Sequence, residues 1–224
     1  MSQGKDADVA MGAMMLESYF PTQIFYRDFD GAEPFNQALA RDIRAWRDAD
    51  PDGIQRSNAR RAGSWHSPVD MHERPEFAPL RDRIQTTAQD IAAACAYSPK
   101  YELTMDTMWG NINPPGGYNR LHNHPHSLWS GVYWVLAPQE AGRIVFQDPR
   151  EARNMAPPVY DPDRTVDAAQ WNTVNFEPSA GRLVLFPSWL YHEVEVNRCP
   201  LSGEAGERIS VSFNFQQVRR RALG

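Results

Sequence analysis

The chain has almost no cysteine. Cys95 and Cys199 are the only two in 224 residues and lie far apart. No disulfide framework is indicated, and a reducing compartment suits the composition. Long apolar runs are missing too. None approaches the roughly 18–20 residues that cross a bilayer. The first residues carry Lys5, Asp6 and Asp8 without the continuous apolar stretch of a secretory signal. These absences point to a cytoplasmic protein with no membrane attachment. Positive charge is not in excess: 23 Lys and Arg stand against 28 Asp and Glu, a formal net charge of −5. The broad basic surface of a nucleic-acid binder is therefore not expected. The one basic run, Arg219-Arg220-Arg221, reads as a solvated tail. No internal repeat or low-complexity tract stands out.

Aromatic residues are plentiful, with seven Trp, ten Phe and eight Tyr, as a β-rich core would use. The length suits one domain over residues 1–224. Residues 1–14 read as a loose N-terminus and 15–99 as a strand plus a helical part. Residues 100–218 read as the β-rich core. Leu16 to Phe29 suggests a strand interrupted by Pro21. Glu33-Pro34 opens a helix to about Ala49, with Phe35, Leu39, Ile43 and Trp46 at helical spacing and Pro34 in the first turn. Asp50-Pro51-Asp52-Gly53 is a turn. The basic, irregular stretch 54–75 would cover one mouth of a barrel. A second helix is expected from about Phe77 to Tyr97, its apolar stripe formed by Leu80, Ile84, Ala88, Ile91, Ala92 and Cys95. From Tyr101 strands dominate, except for a long stretch from Asp148 to Pro178 rich in Pro, Asp and Asn. A connection of that length is usually functional or mobile. It is expected to border a pocket and select substrate, with a plain surface loop as the rival reading.

Two histidines one residue apart, His122 and His124, carry the chemistry. Alternate side chains of a strand share a face about 7 Å apart. Both imidazoles can therefore lean toward one metal ion at about 2.0–2.1 Å. His126 has the same parity, but Pro125 tends to end or edge a strand. It is expected to support the site or touch substrate. His192 follows a strand-like run, Gly181 to Pro187, and opens the alternation His192-Glu193-Val194-Glu195-Val196. It shares the inward face with the two valines.

Arg208 opens another strand, on which Arg208, Ser210, Ser212 and Asn214 share one face and Ile209, Val211, Phe213 and Phe215 the other. Taken alone this is an ordinary amphipathic strand with its polar face in solvent; with the histidines upstream, the apolar face would instead pack on helices while the polar face lines a barrel interior. A guanidinium there can grip a carboxylate with two parallel hydrogen bonds. His-X-His, a distant His and an Arg on three strands form the layout of a mononuclear metal site beside an anionic cosubstrate.

Several pieces together resemble the 2-oxoglutarate/Fe(II)-dependent oxygenases of bacteria and phages. They are Trp109-Gly110-Asn111, Gly117-Tyr118-Asn119, His122-Asn123-His124-Pro125, Ser130-Gly131-Val132-Tyr133, Phe186 to His192 and Arg208 to Asn214. Weaker similarity lies at Gly63-Ser64-Trp65-His66-Ser67. The resemblance implies a mainly β fold with flanking α-helices, a double-stranded β-helix (jelly roll) with the N-terminal helices packed on its larger sheet. It implies Fe(II) at His122 and His192 and 2-oxoglutarate held by Arg208. Ser130, Tyr133 and Asn111 are further candidates for the cosubstrate. Ser130 and Tyr133 lie on opposite strand faces, so only one of them can point inward. The implied reaction couples decarboxylation of 2-oxoglutarate, giving succinate and carbon dioxide, to hydroxylation of a substrate, small-molecule or peptidyl. A homodimer is left open.

One departure stands out. Such oxygenases mostly read His-X-Asp or His-X-Glu, and here the acidic position is His124. Either His124 is the third ligand or an acid such as Asp148 replaces it, although Asp148 before Pro149 also suits a plain turn. Three rival functions stay open. A cupin-type metalloprotein would explain Gly181, Pro187 and His192, but the glutamate expected soon after His-X-His is absent. A zinc enzyme suits three histidines and leaves Arg208 idle. A non-catalytic jelly-roll binding module would bind no metal.

Overall fold

The structure, a computed structural model, describes residues 13–58 and 62–220. Most of the loose N-terminus expected at 1–14 lies outside them. Helix α1 runs Glu33–Ala49 with proline in its first turn, and helix α2 runs Ala78–Ala94. The strands are β1 (Phe25–Asp28), β2 (Trp65–His66), β3 (Tyr101–Asn113), β4 (Asn119–His122), β5 (Trp129–Leu136), β6 (Ile144–Gln147), β7 (Thr173–Phe176), β8 (Arg182–Pro187), β9 (His192–Val194) and β10 (Arg208–Arg219). They form a six-stranded sheet, β1-β8-β5-β10-β3-β2, and a four-stranded sheet, β4-β9-β6-β7. All pairings between these strands are antiparallel. The two sheets enclose an interior, as a double-stranded β-helix does.

Strand alternation divides the large sheet into two faces. Ile209, Val211, Phe213 and Phe215 of β10 join Leu39 and Ile43 of α1 and Leu80, Ile84 and Ile91 of α2 in the main apolar core. The helices therefore cover the outer face. A second cluster, with Val132, Trp134, Ile144, Phe146, Val184 and Phe186, lies between the sheets. The helices also hold the start of β10. Glu207 is buried and accepts from Arg44 Nε at 2.8 Å and Arg47 Nη1 at 2.6 Å. That clamp fixes the backbone immediately before Arg208. At Gly131 on β5, an added Cβ would lie 2.3 Å from Phe213 Cζ and 2.6 Å from the Val184 carbonyl oxygen, so only glycine fits between β10 and β8.

Three expectations need correction. The strand expected over Leu16–Phe29 is confined to β1, because Leu16, Tyr19 and Phe20 are exposed and find no strand to pair with. The stretch Asp148–Pro178 is not one connection. Thr173-Val174-Asn175-Phe176 alternates and pairs with β6 as β7. The basic run is solvated, with Arg219 and Arg220 exposed, but it is not a tail as far as it is described: Arg219 ends β10, and the Arg220 N–H donates to the Lys100 carbonyl at 2.9 Å. Arg221 lies outside the described residues. No helix among the described residues is long and apolar enough to cross a membrane.

Candidate functional site

The three histidines meet between the sheets. His122 at the end of β4 pairs directly with His192 at the start of β9. His124 lies just past β4, where its backbone N–H donates to the Ser188 carbonyl at 2.9 Å. That bond replaces the ladder that Pro125 would interrupt. Ring centroids are 4.3 Å apart for His122 and His192, 5.1 Å for His122 and His124, and 5.2 Å for His124 and His192. One nitrogen from each ring lies within 4.8 Å of the others.

The other nitrogen of each ring is tied back to the protein. His122 Nδ1 donates to the Arg120 carbonyl at 2.6 Å, His124 Nδ1 to Asn214 Oδ1 at 2.7 Å, and His192 Nδ1 to the Leu190 carbonyl at 2.9 Å. Each acceptor selects the tautomer with its proton on Nδ1, which leaves an Nε2 lone pair free in each ring. His124 Nε2 is buried without a hydrogen-bond partner among the described residues. Burial is the main cause that lowers all three pKa values, with His124 pushed down to about 4 and His192 held well below the usual histidine range. The His122 charge adds to this for both His124 and His192. At neutral pH the set is therefore three neutral imidazoles, the form that ligates a metal ion. The donor set and the unpartnered His124 nitrogen fit a divalent cation.

The carboxylate of Asp148 does not join them. It accepts from Arg150 at 2.9 Å and from Arg153 at 3.1 Å. Arg153 also bonds the carbonyl and side chain of Gln170, so the aspartate pins the 148–171 segment instead.

The histidines open on a cavity of about 830 Å³. Arg208 lines it and is 1% exposed. Its Nη1 donates to the carbonyls of Ala141, Gly142 and Glu195, and its Nη2 is buried without a partner among the described residues. No carboxylate among the described residues pairs with it: Glu195 turns its own carboxylate to Arg143 at 2.8 Å. Burial pushes the guanidinium down to about 10, so it remains a cation at neutral pH. A lone buried cation is costly. A carboxylate delivered by a ligand would remove that cost, and the free Nη2 is the donor left to meet it.

The remaining candidates separate. Asn111 lines the cavity, with Nδ2 donating to Ser212 Oγ at 3.2 Å and Oδ1 without a partner among the described residues. Tyr133 is corrected: it lies on the helix face of β5, where its hydroxyl donates to Asn36 at 2.6 Å. Ser130 has the inward parity but is fully buried behind the cavity wall. Its hydroxyl is committed to Ser188 and to Asn214 Oδ1, each at 2.7 Å. Neither side chain lines the cavity. His126, at a positive φ of 72°, does line it. No residue from Asp148 to Pro178 does, so the expectation that this stretch borders the pocket is also corrected.

Two site residues lacked a stated role in the sequence. Asn214 holds His124; its signal was a polar position sharing a face with Arg208 on a strand with an apolar opposite face. His66 is buried in the cavity wall and stacks on Trp109, centroids 5.4 Å apart at 8°. Trp109 in turn stacks on His124 at 5.7 Å. His66 sits on a two-residue strand, too short for any periodicity.

Residues 107–214 match the family model described as "Putative 2OG-Fe(II) oxygenase". No curated protein sequence matches the chain. Among solved structures, a prolyl-4-hydroxylase from Pseudomonas putida aligns with a TM-score of 0.57 at 19% identity, over 89% of this chain and 94% of that one. The α-ketoglutarate-dependent carbocyclase SnoK of nogalamycin biosynthesis aligns with a TM-score of 0.60 at 14% identity, over 90% and 83%. HygX from Streptomyces hygroscopicus, solved with nickel, 2-oxoglutarate and hygromycin B, aligns with a TM-score of 0.54 at 12% identity, over 87% and 83%. At these identities the structural likeness speaks for the fold. The family match covers His122, His124, His192 and Arg208, and over that part the chain is similar to the Fe(II)- and 2-oxoglutarate-dependent oxygenases.

Proposed function

We propose that His122, His124 and His192 hold the iron, that Arg208 binds the distal carboxylate of 2-oxoglutarate, and that the protein hydroxylates a C–H bond of a substrate seated in the cavity. The observation that carries this reading is that three neutral imidazoles and one buried guanidinium, without a carboxylate partner among the described residues, line one cavity. Fe(II) and 2-oxoglutarate, when bound, supply the oxidising chemistry: dioxygen and 2-oxoglutarate are consumed, succinate and carbon dioxide are released, and one oxygen atom enters the substrate.

The protein's own residues position and protect. The Arg120 and Leu190 carbonyls and the Asn214 amide hold the three rings in one tautomer and orientation. Three imidazoles bring no negative charge, so the full +2 remains on the metal. A dianionic 2-oxo acid compensates it more strongly than it would at a site holding a carboxylate ligand. Arg208 fixes the far end of that acid. Asn111 and Ser210, which pair across β3 and β10, add polar groups on the same wall. Val132, Trp134, Ile144 and Phe186 form an apolar wall that excludes water from the reacting centre.

The test is anaerobic loading with Fe(II), then exposure to dioxygen and 2-oxoglutarate with succinate measured. Release is expected from the wild type even without substrate and is expected to disappear in His192→Ala and Arg208→Ala. Full release from both variants would reject the assignment.

A further inference from the structure

Among the described residues the cavity wall has no aspartate or glutamate, although acidic residues outnumber basic ones in the chain. Among the same residues it has three arginines: Arg208 at the inner end, and Arg56 and Arg120 at the mouth. The segments bearing the last two are joined through the backbone. Asn58 bridges Asn119, and the Arg120 N–H donates to the Ser57 carbonyl at 2.9 Å. Outside the cavity several arginines face carboxylates, as Arg27, Arg44, Arg143, Arg153 and Arg182 do, while others, such as Arg83, bond a backbone carbonyl instead. Arg56 and Arg120 have no carboxylate partner among the described residues. Arg120 also borders a second groove whose lining includes Glu140, Glu177, Glu193 and Glu195, so Arg56 carries the greater weight. The Arg56 charge reaches the interior. It adds to burial, the main cause, in holding His66 down to about 4.

Charge balance follows from these positions and rests on the oxygenase reading. Fe(II) and the 2-oxoglutarate dianion cancel, and the imidazoles add nothing. With Arg208 taken by 2-oxoglutarate, Arg56 and Arg120 remain without a carboxylate partner among the described residues, at an opening backed by Trp134, Phe186 and Ile144. Low-dielectric walls of one charge sign focus the field and concentrate ligands of the opposite sign. A cationic substrate would meet repulsion and find no carboxylate to pair with among the described residues of the wall. We propose that the substrate carries an anionic group, a carboxylate or a phosphate, which Arg56 and Arg120 seat at the mouth while the carbon to be oxidised reaches toward the histidines.

The test uses the full chain loaded with Zn(II), which cannot turn over, and saturating 2-oxoglutarate to occupy Arg208. Inorganic phosphate and acetate are titrated separately while the arginine Nε–H resonances are followed by NMR. Saturable shifts at Arg56 and Arg120 are expected. Affinity should fall about tenfold in Arg56→Ala, less in Arg120→Ala, and be largely kept in Arg56→Lys. Binding should weaken as salt is raised toward about 0.5 M. Tighter phosphate binding identifies a phosphate ester, and tighter acetate binding a carboxylate. Absence of saturable shifts with either anion, or unchanged affinity in Arg56→Ala, would overturn the proposal. Binding of 2-oxoglutarate is measured on the same samples. Its failure would count against the Arg208 assignment, while the shifts at Arg56 still decide this inference.

Discussion

Asn214 Oδ1 sits 2.7 Å from His124 Nδ1 and accepts its proton. The same oxygen accepts from Ser130 Oγ at 2.7 Å, and Asn214 Nδ2 donates to Thr107 Oγ1 at 2.9 Å. The amide cannot rotate without breaking these bonds, so it locks the third imidazole where an acid is more usual. Replacing Asn214 with alanine is expected to lower metal affinity about 10–100-fold. Asn214→Asp should restore much of it, because a carboxylate also accepts from Nδ1. Equilibrium dialysis against Co(II) reads both. Equal affinity in wild type and Asn214→Ala would remove Asn214 from the centre.

Arg208 separates binding from folding. Its lone buried charge stabilises nothing by itself, so Arg208→Met should leave the ligand-free protein as thermally stable as wild type or more so. Added 2-oxoglutarate with Zn(II) should stabilise the wild type by about 2.7 kcal/mol at a hundredfold excess over Kd. The variant should gain little. Thermal unfolding with and without the ligand checks this, and equal stabilisation of both proteins contradicts it.

Gly131 is a packing requirement of the large sheet. Gly131→Ala places a methyl group against Phe213 and the Val184 backbone. A loss of about 1–3 kcal/mol in unfolding free energy is expected. Denaturant titration measures it, and an unchanged midpoint would show that the sheet yields there.

His66 makes stability depend on pH. Its folded-state pKa is about 4, against 6.5 when unfolded, with burial the main cause. Between these values the unfolded chain binds the proton and the folded chain does not. The contribution is full above about pH 6.5 and is lost as pH falls toward 4. His66→Phe should flatten part of that slope in unfolding curves taken across the window. An identical slope in the variant would show that His66 does not contribute.

Much of this was legible in the sequence. Helix α1 declares itself through Pro34 and four apolar residues at helical spacing, and it ends at Ala49 as read. His-X-His and the alternation after His192 place three rings on inward faces before any contact is known. The rest depends on pairing partners, which parity does not name. Ser130 has the right parity, but Ser188 and Asn214 close over it. Tyr133 belongs to the helix layer through Asn36, 97 positions away. Strand β7 hides in a stretch whose Pro and Asp content reads as loop, because β6, not local composition, stabilises it.

Metal stoichiometry tests the central claim most directly. Under anaerobic conditions with Fe(II), the wild type and Asp148→Asn should each retain about one ion per chain. His124→Ala and His192→Ala should retain almost none. Retention of iron by His124→Ala together with its loss from Asp148→Asn would contradict the account.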